Sequence, residues 1–337
     1  MKSLLLKITL VLVMAILLLV AFAYHRYEQF LHTPVFTANE TRLDIQPGSY
    51  YAQLIEQIKQ KKGQGENWQW QFLGRWHGYQ SQIKSGEYKF TAQDTPRTLL
   101  DAIASNRVIR YSWTVVEGHT WQQIQQQLIR LDVQKRVLKD QSEAQIIELL
   151  GIDAPSMEGQ LLPETYHYTR ADTDLKLLQR AHRDLRTVLR KAWQERQPGL
   201  ALKTPYELLI LASIIEKETA VSSERDIISG VFNRRLKTNM RLQTDPTVIY
   251  GVGKEYAGDI TYQHLRTDTP YNTYTRHGLP PTPIAMAGAE SIYAAGQPND
   301  GQQLYFVASG DGGHVFSETY EQHQQAVKNY LKKQHDP

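Results

Sequence analysis

Two stretches of the chain lack a polar face. The first is Ile8–Ala23, apolar but for Thr9; with Leu4–Leu6 it approaches the ~20 residues a helix needs to cross a bilayer. The second is Leu208–Ile215, apolar but for Ser213. A helix that is hydrophobic nearly all round is normally buried in the middle of a domain. Residues ahead of this second stretch supply a start signal: Thr204 as N-cap, Pro205 at the first helical position, and Glu207 three residues after the cap to close a capping box. Its last turn delivers Glu216, Lys217, Glu218 and Thr219. Leu208, Leu211, Ile215 and Glu218 step by three, four and three, so Glu218 continues an apolar stripe. Glu216 extends a different stripe, with Leu209 and Ala212, and points roughly the opposite way.

Between these stretches the pattern is mixed. His25 to Glu40 reads as a tether. Thr41–Ile45 and Ser85–Phe90 predict strands, and Tyr51–Lys62, with Leu54, Ile55 and Ile58 at helical spacing, predicts a helix. The alternation of Trp68, Trp70 and Phe72 predicts a half-buried strand; Thr98–Ile103 predicts a short helix and Val108–Val116 a long strand. Together these make a small α+β module whose aromatics either form its core or stack on a ligand. Helices follow from Trp121 to Leu131 and over Gln141–Leu150. The segment EGQLLPETY at Glu158–Tyr166 is too rich in Gly, Pro and acid for a helix interior. Loops of this kind either simply turn the chain or carry function. Asp172–Gln194 reads as a solvated amphipathic helix. After the central helix come a helix over Ser223–Lys237, a β-rich run within Arg241–Gly251, a buried strand at Leu304–Ala308 and a closing helix at Glu321–Lys332.

At 337 residues the chain can hold two domains. Its 38 basic and 35 acidic residues balance too evenly to argue for a nucleic-acid partner. With no cysteine, a disulfide framework, a thiolate metal site and a cysteine nucleophile are all excluded. The 11 histidines include no H-E-x-x-H pair, and P-loop, dinucleotide and G-x-S-x-G signatures are missing too. Lys2 and Lys7 precede the first apolar run, which favours a cytoplasmic N-terminus and places the rest of the chain outside the cytoplasm. The length of that run favours an uncleaved anchor over a signal peptide cut after Ala21-Phe22-Ala23. What remains is acid chemistry. A carboxyl placed where core packing ends is poorly solvated, which raises its pKa and suits it to general-acid work. Glu218 is the first candidate, set against the plainer reading of a solvated helix end. Asp245, Glu224, Asp226 and Glu158 are candidate second carboxylates.

Four motifs then carry a resemblance: SIIEKETA at Ser213–Ala220, RLQTDPTVIYG at Arg241–Gly251, YNTY at Tyr271–Tyr274 and GLPPTPI at Gly278–Ile284. In this order, and joined by EGQLLPETY and YFVASGDGGHVF, they resemble the endolytic murein transglycosylase (YceG-like) family. The resemblance implies an α+β fold with a single N-terminal transmembrane helix, a small LysM-like α+β subdomain and a larger α+β catalytic domain. The corresponding boundaries are 1–24 for the anchor, 25–40 for the tether, 41–112 and 113–337. It implies a periplasmic catalytic domain on the inner membrane, acting on peptidoglycan glycan strands beside the penicillin-binding synthases, with no cofactor or metal. It makes Glu218 catalytic: the acid protonates the leaving oxygen, the sugar's own C6 hydroxyl attacks, and the product ends in 1,6-anhydro-MurNAc. Glu158, Gln243, Thr244, Asp245, Tyr271, Asn272 and Thr273 become candidate substrate contacts, with Asn272 and Gln243 orienting N-acetyl groups and Tyr271 holding the reacting ring. A lysozyme-type muramidase using Asp245 as second carboxylate and a non-catalytic glycan-binding scaffold are the alternatives.

Overall fold

Most side chains between Leu4 and Ala23 find no partner within the chain. They lie on α1 (Lys2–His32), whose leucines, valines and isoleucines up to Val20 stand about half to two-thirds exposed. This helix is long and apolar enough to cross a membrane, which suggests a membrane anchor. The computed structural model describes residues 2–335. Met1, Asp336 and Pro337, end residues of the anchor and of the second domain as read from the sequence, lie outside the described residues.

The remainder is a mixed α+β chain in two compact units, one running to Tyr111 and taking in Tyr168–Ala171, the other comprising Ser112–His167 and everything from Asp172. In the first unit β1 (Thr41–Ile45) leads into α2 (Tyr51–Gln60) and α3 (Asn67–Trp76), then β2 (Gly86–Phe90) and α4 (Pro96–Ala104). The strands pair antiparallel, from Thr41 opposite Phe90 to Ile45 opposite Gly86. Their inward faces meet Leu54, Ile58, Trp70, Leu99 and Ile103 in one core.

Two expectations fail in this unit. The supposed tether is structural: α1 runs on to His32, and Tyr27, Phe30, Val35 and Phe36 are buried in the same core. His25 and Arg26 end the apolar run without ending the helix. The supposed strand at Trp68–Phe72 is α3. Gln69 reaches back to the backbone N–H of Glu66 at 2.7 Å in a capping box, and Trp70 and Leu73, three apart, fill the core. Trp68 and Phe72 stay exposed, so the alternation was coincidental.

Strand β3 (Tyr111–Thr114), in the second unit from Ser112 on, precedes α5 (Trp121–Leu128) and α6 (Glu143–Leu150), and pairs with β4 (Thr165–Tyr168), in that unit up to His167. Then come α7 (Asp174–Gln194), α8 (Pro205–Glu218), α9 (Arg225–Lys237), α10 (Asp245–Val252), α11 (Tyr262–Arg266) and α12 (Ala289–Gly296). An antiparallel hairpin of β5 (Tyr305–Ala308) and β6 (His314–Ser317), with α13 (Tyr320–His335) against it, completes the unit.

Every residue of α8 from Leu208 to Ile215 is buried, because α7, α9, α10 and α12 all pack on this helix. Thr204 accepts the Glu207 N–H as expected, but the Glu207 carboxylate takes the N–H of Lys203 instead of closing a box. Ser213, the one polar side chain inside, donates to Ile210 O at 2.7 Å and accepts from Ile284 N at 3.0 Å. The β-rich reading of Arg241–Gly251 is also corrected: Pro246 sits in the first turn of α10, where its missing N–H costs nothing.

The α1 reading has a direct check. The full-length chain is expected to sediment with membranes and stay there through a high-salt wash. Recovery of a soluble chain beginning at Tyr24 would identify a cleaved signal peptide instead.

Candidate active site

Glu218 closes α8 where the core ends. The next residue, Thr219, is already extended (φ −143°), so the helix delivers its last carboxyl to the boundary between packed interior and open space. That space is a cavity of about 460 Å³, lined by Glu218, Arg235, Gln243, Thr244, Asp245, Tyr274, the β5 strand and His314. Loss of water around Glu218 pushes its pKa up to about 7. A hydrogen bond from the Thr244 hydroxyl opposes the shift, the Asp245 charge adds to it, and His314 and Arg235 lower it.

Thr244 is held in place by an unusual backbone. Gln243 has φ +49°, and the turn it makes is clamped from the YNTY segment: Thr273 accepts the Thr244 N–H on its hydroxyl at 3.1 Å and the Gln243 N–H on its carbonyl at 3.2 Å. Thr247 joins the same cluster, 2.9 Å from the Thr273 hydroxyl. Thr273 thus acts behind the cavity wall. Asp245 opens onto the cavity and accepts the Tyr274 hydroxyl at 2.6 Å.

The other expected contacts are elsewhere. Asn272 is buried; its amide donates to the carbonyls of His264, Leu265 and Thr267 (2.8–3.2 Å), and its carbonyl accepts the Tyr274 N–H at 2.9 Å. With this many bonds inside its own loop, it has little left for an N-acetyl group. Tyr271 is not among the groups lining this cavity: its hydroxyl lies 2.9 Å from that of Thr282, and its ring meets Tyr250 edge-on at 4.8 Å. Glu158 is buried under α5, accepting the Trp121 N–H on both oxygens (3.0 and 3.1 Å) and the Tyr250 hydroxyl at 3.1 Å. Burial pushes it up to about 7 as well, against those hydrogen bonds. It fastens α5 to α10. Glu216 accepts the Gly288 N–H at 3.0 Å and the Ser291 hydroxyl at 2.7 Å, so it serves the start of α12.

Arg235, Tyr274 and His314, with Tyr320 and His323 of α13, line the cavity and escaped the sequence reading. Arg235 is a buried cation that donates to Leu304 O at 2.7 Å and Leu242 O at 2.6 Å, tying α9 to two cavity-forming loops. Tyr274 supports Asp245. His314 donates its backbone N–H to Glu224 Oε1 at 2.8 Å, and its Nδ1 lies 2.7 Å from Glu224 Oε2. Burial alone would raise Glu224, but the bonds from His314 and Thr219 outweigh it and hold the carboxyl below its ordinary value. An ionised carboxylate only accepts, so the His314 Nδ1 that faces it carries a proton. The GGH run held the signal: a side chain at Gly313 would come within 2.8 Å of Glu224 Oε1. Among the described residues no group of three His, Asp or Glu could hold a metal ion.

Two predictions follow from these bonds. The folded-state pKa of Glu218 lies above its ordinary 4.5, so ionisation works against the fold as pH rises from 4.5 through 7. Glu218→Gln should therefore match wild type in urea melts at pH 4.5 and exceed it at pH 8.5, by on the order of 2 kcal/mol. Asn272→Ala should lower stability by about 1–3 kcal/mol, the cost of stranding the carbonyls it holds. An unchanged melting curve would return Asn272 to ligand contact.

The YceG-like family model matches residues 43–329. Over 180 residues the chain is 37% identical to the endolytic murein transglycosylase of Bacillus subtilis strain 168, covering 53% of this chain and 49% of that one. It is 30% identical over 183 residues to the endolytic murein transglycosylase of Streptococcus pneumoniae serotype 2 strain D39, covering 52% and 32%. The chain thus spans half or less of the length of these relatives. The 2.6 Å crystal structure of a yceG-like protein from Listeria monocytogenes matches with a TM-score of 0.52 at 27% identity, over 86% of this chain and 99% of that one. Since the family model takes in both units and every group around the Glu218 cavity, this chain belongs to the YceG-like family.

Proposed function

We propose that this chain is an endolytic lytic transglycosylase that cuts murein glycan strands between MurNAc and GlcNAc. The observation that carries the reading is Glu218: a carboxyl with its pKa near 7, at the end of a buried helix, opening onto a cavity large enough for sugar rings. The names of the two relatives support the same substrate.

Near neutral pH a large share of Glu218 is protonated and can give its proton to the glycosidic oxygen as the C1–O bond breaks. The anomeric carbon, now oxocarbenium-like, is closed by the C6 hydroxyl of the same sugar, and the ionised Glu218 takes up that hydroxyl's proton. The 1,6-anhydro product follows with no water consumed. Thr244 fixes which oxygen of Glu218 faces the substrate, and the His314 ring lies on the cavity wall within the same space. Gln243 lines the cavity and is the best-placed of the expected contacts to read an N-acetyl group.

Asp245 in the same cavity is the feature that favours a muramidase, since a hydrolase needs a second carboxylate. The Tyr274 hydroxyl on it and its position at the head of α10 favour a structural part. In the first unit, the strand–helix–helix–strand order of residues 41–90 supports the LysM-like reading. The apolar α1 supports an inner-membrane anchor with the catalytic unit in the periplasm, where growing strands and the penicillin-binding synthases work.

Mass spectrometry of products from purified glycan strands tests the reaction. Anhydro ends, lighter than reducing ends by one water, are expected. Reducing ends would establish hydrolysis. Glu218→Gln should abolish cleavage by either route, and Glu216→Gln should cost far less because its amide can still accept at α12.

A further inference from the structure

One feature of the first unit serves neither its core nor the cavity. Trp68, Phe72 and Trp76 succeed one another at four-residue intervals on α3, forming one stripe, and are 42%, 47% and 74% exposed. Phe72 and Trp76 stack on each other with centroids 5.7 Å apart. Large aromatics lined up in water are uncommon unless something covers them.

The contacts between α3 and α1 say what does. The Phe72 ring meets Tyr27 edge-on at 4.9 Å. Trp68 donates its indole N–H to Glu66, which is ion-paired with Arg26, and the Gln69 amide donates to Arg26 O at 3.0 Å. On the opposite face of α3, Trp70 meets Phe30, one turn further along α1, at 5.0 Å. So α3 lies across α1 at the level of Arg26 and Tyr27. Its buried face is turned toward Phe30, and its exposed stripe is turned back toward the apolar run.

The height of that level follows from helix geometry. If α1 spans the bilayer from Leu4 to Ala23, about 20 residues cover the ~30 Å hydrocarbon layer. Tyr27 stands four residues beyond, ~6 Å above the boundary, within a headgroup layer ~5–8 Å deep. Charge agrees: Asn67 to Gly86 contains Arg75, His77 and Lys84 and no acidic residue. Tryptophan favours this depth because its ring is apolar and its N–H is not.

We propose that the Trp68–Phe72–Trp76 face of α3 lies in the headgroup region of the membrane that α1 crosses, so that the first unit rests on the lipid surface. This goes beyond the catalytic reading and depends only on α1 as the anchor.

The test uses the full-length chain in phosphatidylcholine vesicles brominated either near the headgroups or deep in the acyl chains. No tryptophan lies in α1, so the span adds no signal. Trp70, Trp113 and Trp121 are buried in protein, and the partly buried Trp193 is common to wild type and variant. Shallow bromine should quench tryptophan fluorescence more than deep bromine, and the Trp68→Phe/Trp76→Phe variant should lose at least half of that quenching with an unchanged melting curve. Equal quenching of variant and wild type, or none by shallow bromine, would overturn the proposal. So would a saturable response of these tryptophans to soluble glycan strands in place of quenching, which would make the stripe a sugar platform. A chain that fails to float with the vesicles after a salt wash removes the anchor and this proposal together. One that floats with Trp68 and Trp76 unquenched removes only this proposal.

Discussion

Desolvation of the Glu218 carboxyl is the constraint on which the site depends. It originates in α8, a helix with no polar face that four other helices must surround. Where such a helix stops, its last side chains meet the edge of the core instead of bulk water. Glu216 and Glu218 are two residues apart and fare differently because they leave α8 on different faces. Glu216 finds the unpaired N–H at the start of α12 and the Ser291 hydroxyl. Glu218 finds one hydroxyl, the nearby Asp245 charge and a cavity, so its proton is held more tightly than water would hold it.

Everything around that carboxyl is organised by buried polar groups that fasten one segment to another. Thr273 clamps the turn that presents Thr244. Arg235 draws the ends of two cavity loops onto α9. Glu158 joins α5 to α10, and Glu224 holds both Thr219, the residue after Glu218, and His314 on the hairpin. A hydrogen bond of this kind adds about 1 kcal/mol net, but leaving its partner bare costs more. The arrangement therefore resists piecemeal change. Most of the polar residues in the sequence motifs are spent on this fastening, and only a few face the cavity.

The first unit shows the same economy on a smaller scale. Its core is completed by the end of α1, so the segment that is apolar enough for a bilayer continues directly into the fold as Tyr27 and Phe30. A helix shared in this way carries α3 on its end without a flexible linker between them.

The elements legible from the chain were those whose signal is local and strong. The buried α8, its cap, the apolar length of α1, the strands at Thr41 and Gly86 and the exceptional position of Glu218 all follow from periodicity and spacing, because a helix with no polar face has few ways to be satisfied. The errors came where local pattern is ambiguous. Alternating tryptophans at 68 and 70 fit a strand or a helix over so short a run, and contact with Phe30 chose the helix. His25 and Arg26 looked like the end of the span, yet the helix continued because Tyr27 and Phe30 had a core to enter. At the site, residue type identified which side chains carry polar chemistry but not where that chemistry is directed. Asn272, Thr273 and Glu158 have the same donors and acceptors whether they hold a sugar or a backbone loop. Only the tertiary structure, by bringing Thr267, Thr244 and Trp121 within bonding distance of them, decided that they hold the protein together, while His314, remote in sequence, came to face the acid.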